Sequence, residues 1–527
     1  MNGASLPGAA SPDRYDCIVI GAGHNGLVCA NKLARGGRAV LVVEAASRVG
    51  GAAVTREFAP GFRVSACAHL MHLMPAGLIR ELDLEAHGLQ WAARSMPTTS
   101  VAPGAPALRV DAASLTGADA PAYDDYRARM QRFAKALVPM FGRIPPRLGT
   151  TAWSDRLALL GLGWQIRRLG RRDMRELLRI GGMNVYDLLQ EHFDSPALKG
   201  ALGFDAVLGT NFGPRSPGTV LTLLHRLAGE AGGGVTALSQ PRGGLGAVCD
   251  ALAKSAAAAG VTIRTGTPVA RILVDADRAC GVELQSGERI AAATVVSGAD
   301  PKTTFMTLVG ARHLDAGFVR RVSHIRAKGL AAKLHLALDR VPPFIGIDHD
   351  ALRGRIVIAP SLMHLERAYN HSKYGEFSEA PAMEITVPSV NDAALAPPGG
   401  HVLSAIVQYA PYSLAAGWEE ARRPFEDLCL ETLERVAPGL GKSVVASELL
   451  TPVDIEREFR ISGGHWHHGE LAFDQFFMVR PVPGAAQHAT PLPGLYLCGA
   501  GCHPGGGVMG IPGRNAAEAI LAGGGAT

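Results

Sequence analysis

The sequence predicts an α/β fold with at least two structural domains. Three stretches predict it: "YDCIVIGAGHNGLVCANKLA" from Tyr15 to Ala34, "LYLCGAGCHPGGGVMGIPGRNAAEAI" from Leu495 to Ile520, and a strand-rich block from Gln240 to Pro301. The first two each place a short apolar run before a glycine-rich loop and a helix of small residues. At 527 residues the chain is long for a single hydrophobic core. A composition of 47% hydrophobic and 19% charged residues marks a well-buried globular protein.

Near the N-terminus, Cys17-Ile18-Val19-Ile20 reads as a buried strand, followed at once by the loop Gly21-Ala22-Gly23-His24-Asn25-Gly26. A helix pattern then runs to about Arg35, where Gly36-Gly37 stops it, and "RAVLVVE" forms a second strand ending at Glu44. This is the Rossmann dinucleotide fingerprint in its required context. Gly21 makes the tight turn, Gly23 lets the backbone approach a pyrophosphate, and Gly26, with Ala30, lets the helix pack on the sheet. Phosphates sit on the helix N-terminus, where free N–H groups and the dipole favour negative charge. Glu44 stands where a ribose diol would donate hydrogen bonds, and its charge would repel the 2′-phosphate of NADP. In "EAASRVGGAAVT", the pattern Arg48-x-Gly50-Gly51 resembles the second glycine motif of FAD-binding oxidoreductases, which favours FAD over NAD.

The C-terminal loop, Gly499 to Gly510, does not repeat the fingerprint. Pro504 occupies part of the spacing and no acid-tipped strand follows. What remains is a strand at Leu495–Cys498, a flexible loop, and a helix from about Met509 to Leu521. That helix start favours partial negative charge, such as the N1/O2 edge of a flavin acquires on reduction. The loop residues Gly499, Ala500, Gly506, Gly507, Val508 and Met509 are therefore expected to contact the ring. The two glycine loops would hold opposite ends of one FAD. His24 and His503, one in each loop, are expected to contact cofactor or backbone.

The Gln240–Pro301 block reads as a helix, a strand at Val261–Arg264, a three-strand meander with glycine-bearing turns, and a buried strand at Thr294–Ser297. Gly243-Gly244-Leu245-Gly246 has no strand pattern before it and reads as a helix start.

"GAGHNGL", "RVGGAAVT", the Gly243–Pro301 block and the C-terminal motif together resemble the phytoene-desaturase-like FAD oxidoreductases. More narrowly, "GGHWHHGELAFDQFFMVRP" (Gly463–Pro481) and "TVPSVNDAALAPPGGHVLSAIVQYAPY" (Thr386–Tyr412) resemble the branch named for pyridine nucleotide-disulphide oxidoreductase domain-containing protein, type two. The resemblance implies a discontinuous Rossmann-like FAD-binding domain from residues 14–75, 236–305 and 450–527. An α+β substrate domain would come from 76–235 and 306–449, as in phytoene desaturase and amine oxidase-like flavoproteins. Val269 joins the expected cofactor contacts. The branch's name does not fit disulfide chemistry: residues 52–66 contain no cysteine and no second intact fingerprint is present. Cys498 and Cys502, four apart, are open to a dithiol, although strand-to-loop geometry disfavours a bond and Cys498 has a core profile.

Flavin dehydrogenation needs a C–H bond placed over N5 and water excluded, so no nucleophile triad is required. The local candidate for a catalytic side chain is His468, in Gly463-Gly464-His465-Trp466-His467-His468-Gly469-Glu470, as a proton acceptor near neutral pH. Structural packing is the plainer reading of that cluster, and its spacing does not suit a metal. "DRLALLGLGWQIRRLGRRDMRELLRI", Asp155–Ile180, is a cationic helix pattern carrying Arg167, Arg168, Arg171, Arg172, Arg175 and Arg179. Packing of its apolar side on the domain core is expected, with a membrane surface or a subunit as alternative partners.

A net charge of +5, without a basic block interleaved with aromatics, argues against nucleic-acid binding. No apolar run approaches the roughly 18 residues that span a bilayer. "MNGASLPGAASPDR" lacks the features of a secretory signal, and residues 1–13 are expected to be a disordered tail. Eight scattered cysteines without zinc spacing fit free thiols in a reducing cytoplasm, with the mitochondrial matrix as the alternative. The leading expectation is an FAD-dependent oxidoreductase that dehydrogenates or isomerises an apolar isoprenoid, polyene or lipid-like molecule. The alternatives are a flavin amine oxidase and a flavin-binding regulatory protein with little turnover.

Overall fold

The computed structural model describes residues 15–231 and 238–523, so the expected tail at 1–13 lies outside the described residues. The strand Tyr15–Ile20 lies at the centre of a seven-stranded sheet, parallel to Val40–Val43 on one side and to Arg289–Ser297 on the other. Ile18 stands opposite both Leu41 and Val295. Thr262–Arg264 pairs in parallel beyond Val40–Val43, and Leu495–Leu497 pairs in parallel with the end of Arg289–Ser297. Residues 17–20 of the first strand and all of Val40–Val43 are apolar and buried because both faces of the sheet are covered there.

The remaining strands, Val269–Asp275 and Arg278–Leu284, form an antiparallel extension that runs into the first half of Arg289–Ser297. The third meander strand and the buried strand expected at Thr294–Ser297 are thus one strand. Nothing between Ile290 and Thr294 breaks it, since only three alanines intervene. It pairs with the meander first and with Leu495–Leu497 afterwards.

Helices His24–Arg35, Gly246–Ala258 and Ile511–Gly523 share one core on one face of this sheet, with Val19, Val42, Leu27, Leu252 and Ala516 all fully buried. Gly246 opens its helix, as the Gly243–Gly246 segment suggested. The last helix begins at Ile511 and not at Met509, because Gly510 takes φ +71°, outside the helical region. The first and last helices cross almost backbone to backbone. A Cβ built on Gly513 would lie 2.0 Å from the carbonyl oxygen of Asn25. Within the first loop, a Cβ on Gly26 would lie 2.1 Å from the carbonyl oxygen of Gly21, itself at φ +96°. Buried Asn31 donates to Ser255 Oγ at 2.7 Å, and that hydroxyl donates to the carbonyl of Leu82 at 2.6 Å, tying three segments together.

A second seven-stranded sheet has the order Val444–Leu450, Ala331–Leu338, His401–Gln408, Ala382–Thr386, Arg355–Ile358, Thr98–Val101, Leu108–Arg109. Its central strands alternate. Leu334, Leu336, Ile385, Ala405 and Val407 pack under the helix Trp418–Glu434 with Phe425 and Leu433. Lys333, His335, Glu384, Ser404 and Ile406 take the opposite face, where Lys333 and His335 meet His69 and Ala66.

A helical layer packs around Phe133, Leu188, Leu198 and Leu224. In it the cationic pattern at 155–180 forms two helices instead of one. Gly170, at φ +83°, divides it into helices Trp153–Arg168 and Gly170–Ile180. The second buries Leu177 and Ile180, whereas the first buries no residue. The packing expected for its apolar side is made by Ile166 and Leu169, which lie against that core, while Trp153, Leu157, Leu160 and Trp164 form an exposed outer face.

The Gly513 contact leaves no room for a methyl group. Gly513→Ala is expected to lower unfolding stability by about 1–3 kcal/mol, the cost of overpacking a filled core, measurable by urea denaturation. An unchanged midpoint would mean that the two helices separate easily.

Candidate functional site

One continuous cavity runs from the first glycine loop, along the carboxyl ends of the parallel strands, to the polar face of the second sheet. At its near end Gly21, Gly23, His24, Asn25 and Gly26 form the wall, with Glu44 at the end of the second strand. Gly50 and Gly51 close over them: Gly50 N–H donates to the carbonyl of Ala22 at 2.9 Å, and Gly23 bridges Gly50 in parallel. Val269 lines the same end. Gly499, Ala500, Gly507 and Val508 line the far end together with His468.

Four expected contacts lie elsewhere. Arg48 points to the carbonyl of Thr55, 3.3 Å from Nη1. His503, fully buried, donates from Nε2 to the carbonyl of Met140 at 2.8 Å and so turns onto the helical layer. Gly506 sits behind His467, where a Cβ would meet Nδ1 at 2.7 Å. Met509 lines a separate apolar cavity with Leu73, Phe141 and Ile511. Residues adjacent in a tight loop point in different directions, so sequence proximity to the glycines did not decide which of them face the cavity.

The near end suits a dinucleotide. The helix His24–Arg35 has no side-chain cap, leaving its first N–H groups directed at the cavity. Gly23 has open space on its side-chain face. Glu44 accepts from Ala22 N–H at 2.6 Å and from Ala46 N–H at 2.8 Å, which fixes the carboxylate while each oxygen keeps a further lone pair. Buried polar atoms in the wall have no hydrogen-bond partner among the described residues: His24 Nε2, Asn25 Oδ1, His72 Nδ1 and His468 Nδ1. Such atoms call for a polar occupant.

His468 does not have the character expected of a base near neutral pH. Burial pushes its pKa down to about 4, with Asp300 opposing and Arg480 reinforcing that shift. Burial, with His468 nearby, likewise holds His24 down at about 4. Burial also lowers the His467 imidazole well below its ordinary range. Arg480 anchors the segment from beneath, donating to the carbonyls of Glu470 and Gln475 at 2.9 Å each.

All eight cysteines are free thiols. The thiol of Cys498 shares a hydrogen bond with that of Cys29, and this contact together with burial pushes its pKa well up. Cys502 packs in the other core, below the sheet. Cys498 and Cys502 thus pack in different cores.

Sequence reading missed the polar face of the second sheet. Lys333 Nζ lies 2.6 Å from His69 Nδ1 and donates to Ser404 Oγ at 3.0 Å. His335 Nε2 donates to the carbonyl of Ala66 at 3.0 Å, so its Nδ1 receives the Ser404 hydroxyl proton at 3.1 Å. Burial lowers the Lys333 pKa to about 7, against partial support from Cys67 and Glu384. His69 itself lines the cavity. Beside it Glu384 pairs with Arg355 at 2.6 Å and Arg226 at 3.2 Å, and Asp205 pairs with the same two arginines. The one available signal was the alternation Lys-Leu-His-Leu at 333–336 inside an otherwise apolar strand.

The chain belongs to the flavin containing amine oxidoreductase family, whose profile matches residues 26–521. It is 36% identical to pyridine nucleotide-disulfide oxidoreductase domain-containing protein 2 of Mus musculus, covering 96% of this chain and 93% of the relative. It is 27% identical to a limonene dehydrogenase subunit of Castellaniella defragrans, covering 96% and 94%. With a neurosporene-forming phytoene desaturase of Cereibacter sphaeroides it shares 29% identity over 53% of each chain. The protein is accordingly a flavin-dependent oxidoreductase, similar to phytoene desaturases.

Gly23 has an ordinary φ of −69° and free space beside it, so a larger side chain is compatible with folding. Gly23→Val is expected to unfold at the same denaturant concentration as flavin-stripped wild type, yet to purify without flavin. Retention of stoichiometric flavin absorbance in that variant would remove the first loop from the cofactor site.

Proposed function

We propose that the protein binds FAD along the first sheet and uses it to take hydrogen from an apolar isoprenoid, polyene or lipid-like molecule. Glu44, the uncapped helix start and the open side of Gly23 suit the ribose and pyrophosphate of an adenine dinucleotide. When bound, the flavin ring supplies the acceptor for hydride leaving a substrate carbon.

The observation that carries the choice of substrate is the state of the cavity's carboxylates. Among the described residues that line it, the carboxylates are Glu44 and Glu384. Glu44 is held by two backbone N–H groups at the dinucleotide end, and Glu384 is neutralised by Arg226 and Arg355. Neither is free to receive an ammonium group, which disfavours a cationic amine. Leu70, Leu208, Ile406 and Phe459 supply apolar wall instead. Limonene dehydrogenase and phytoene desaturase, both named for isoprenoid hydrocarbons, support the same class.

The chain's own residues would orient an apolar molecule, exclude water and hold a proton. Trp466 and Phe459 narrow the cavity wall. A proton released from substrate carbon can enter His69 at Nε2, leave from Nδ1, and be held at Nζ of Lys333, which is close to half-neutral at pH 7. His468, already near 4, cannot compete as a base.

Anaerobic mixing with isoprenoid hydrocarbons is expected to bleach the oxidised flavin band. Bleaching by amines alone would support an amine oxidase. A hydrocarbon whose double bonds change without net bleaching would assign isomerisation. A flavin that none of these reduces or transforms would favour a regulatory flavoprotein.

The pH dependence follows from Lys333. Its protonated form predominates below about 7 and cannot accept a proton, so the rate of flavin reduction is expected to rise from pH 6 to pH 8. Lys333→Met should be slower and lack that step, whereas His468→Ala should keep it. A step of unchanged midpoint in Lys333→Met would exclude the lysine.

A further inference from the structure

We infer that the helix Trp153–Arg168, with the start of Gly170–Ile180, docks the protein onto an anionic lipid bilayer. A surface helix ordinarily has one apolar stripe, turned inward. Here Leu159, Leu162 and Ile166, at helical spacing, are half-buried, and Ile166 packs against the helical core. The opposite face repeats the pattern. Trp153, Leu157, Leu160 and Trp164, spaced four, three and four apart, are 72%, 61%, 68% and 65% exposed. They form an outward stripe about 16 Å long at 1.5 Å per residue. A contiguous apolar patch of this kind on a folded domain marks a contact surface.

The surrounding charge selects the partner. On a helical projection Arg156 and Arg167 flank one side of the stripe and Arg168 the other, and exposed Arg171, Arg172 and Arg175 continue onto the next helix. Arg167, Arg168, Arg171, Arg172 and Arg175 have no ion-pair partner among the described residues. The acids nearby are engaged or turned inward: Asp173 pairs with Arg132 at 2.9 Å, Glu176 with Arg179 at 2.8 Å, and Asp155 is half-buried on the inner face. Indole rings and leucines bounded by guanidinium groups match the boundary between acyl chains and anionic headgroups. A second copy of the chain fits less well, because a two-fold contact through this face would set the same arginines against each other. No helix among the described residues is long and apolar enough to cross a membrane, so the stripe lies on the surface.

None of these residues lines the flavin cavity, so this inference stands apart from the proposed reaction. Flotation of the holoprotein with vesicles of phosphatidylcholine containing phosphatidylglycerol tests it, with phosphatidylcholine alone as the neutral control. Wild type is expected to float with the anionic vesicles and to be released by salt. Leu157→Glu/Leu160→Glu should stay at the bottom of the gradient with its flavin content and melting temperature unchanged. Arg167→Gln/Arg168→Gln/Arg171→Gln should partition roughly a hundredfold more weakly, at about 1 kcal/mol per basic residue near such a surface. Equal flotation of all variants, or none by wild type, would overturn the inference. So would concentration-dependent dimerisation in sedimentation that Leu157→Glu/Leu160→Glu abolishes while vesicles bind nothing, which would assign the face to a second copy.

Discussion

The near-contact between the first and last helices is the constraint on which the site depends. Gly513 allows Ile511–Gly523 to lie against the backbone of Asn25, at the first turn of His24–Arg35. This places the loop ending at Gly510 beside the loop beginning at Gly21, although nearly the whole chain separates them. Both loops then open at the carboxyl ends of parallel strands, the position where open α/β sheets bind their ligands. The parallel pairing of Leu495–Leu497 with Val295–Ser297 enforces the same arrangement from within the sheet. Glycine at 513 is thus a requirement of close approach, where even one methyl group would press on a carbonyl.

The first loop and its sheet were legible because their signals are local. Strand, Gly21, Gly23, Gly26 and Glu44 fall within one βαβ unit, where Gly21 takes φ +96° and Gly26 lies against the Gly21 carbonyl. The Lys333–His69 contact was not legible, because its partners are 264 positions apart and meet only after two sheets have packed. His503 takes the backbone contact that was one of its two expected roles, and the choice between them was not legible for a different reason. Its loop was identified correctly, but nothing in the order of residues says that its ring turns to Met140. The helix Trp153–Arg168 carries two apolar stripes on opposite faces, and a one-dimensional pattern does not reveal which of them meets the core.

Buried charge near the cavity is balanced in one place and not in another. Arg226 and Arg355 meet Asp205 and Glu384, two cations against two anions, so the group is neutral and fully paired. Burying such a quartet has a substantial desolvation cost that good geometry only offsets, so its presence in a sheet interior is weak evidence for stability. Lys333 has no ion-pair partner among the described residues. It contacts a histidine and a serine, and burial, only partly offset by nearby Cys67 and Glu384, lowers its proton affinity toward neutrality. A core designed for stability alone would place an apolar residue there, as at Leu334 and Leu336 on the other face of the same strand.

That alternation separates two tasks that the sheets perform. Toward the dinucleotide end the wall is mostly backbone and glycine, with Glu44 as its acid, a surface that reads a cofactor common to many enzymes. Toward the second sheet the wall takes Glu384 from Ala382–Thr386 and Ile406 from His401–Gln408, and Lys333 of Ala331–Leu338 lies behind the lining residue His69. Residues in between, such as Leu334, Ile385 and Ala405, pack under Trp418–Glu434 and carry the stability of that domain. Because a strand sends successive side chains to opposite faces, Lys333, Ser404 and Ile406 lie apart from that core, while Glu384 on the same face is held by Arg226 and Arg355. Substrate choice in this architecture can therefore change on one face of one sheet while the flavin end and the hydrophobic core stay as they are.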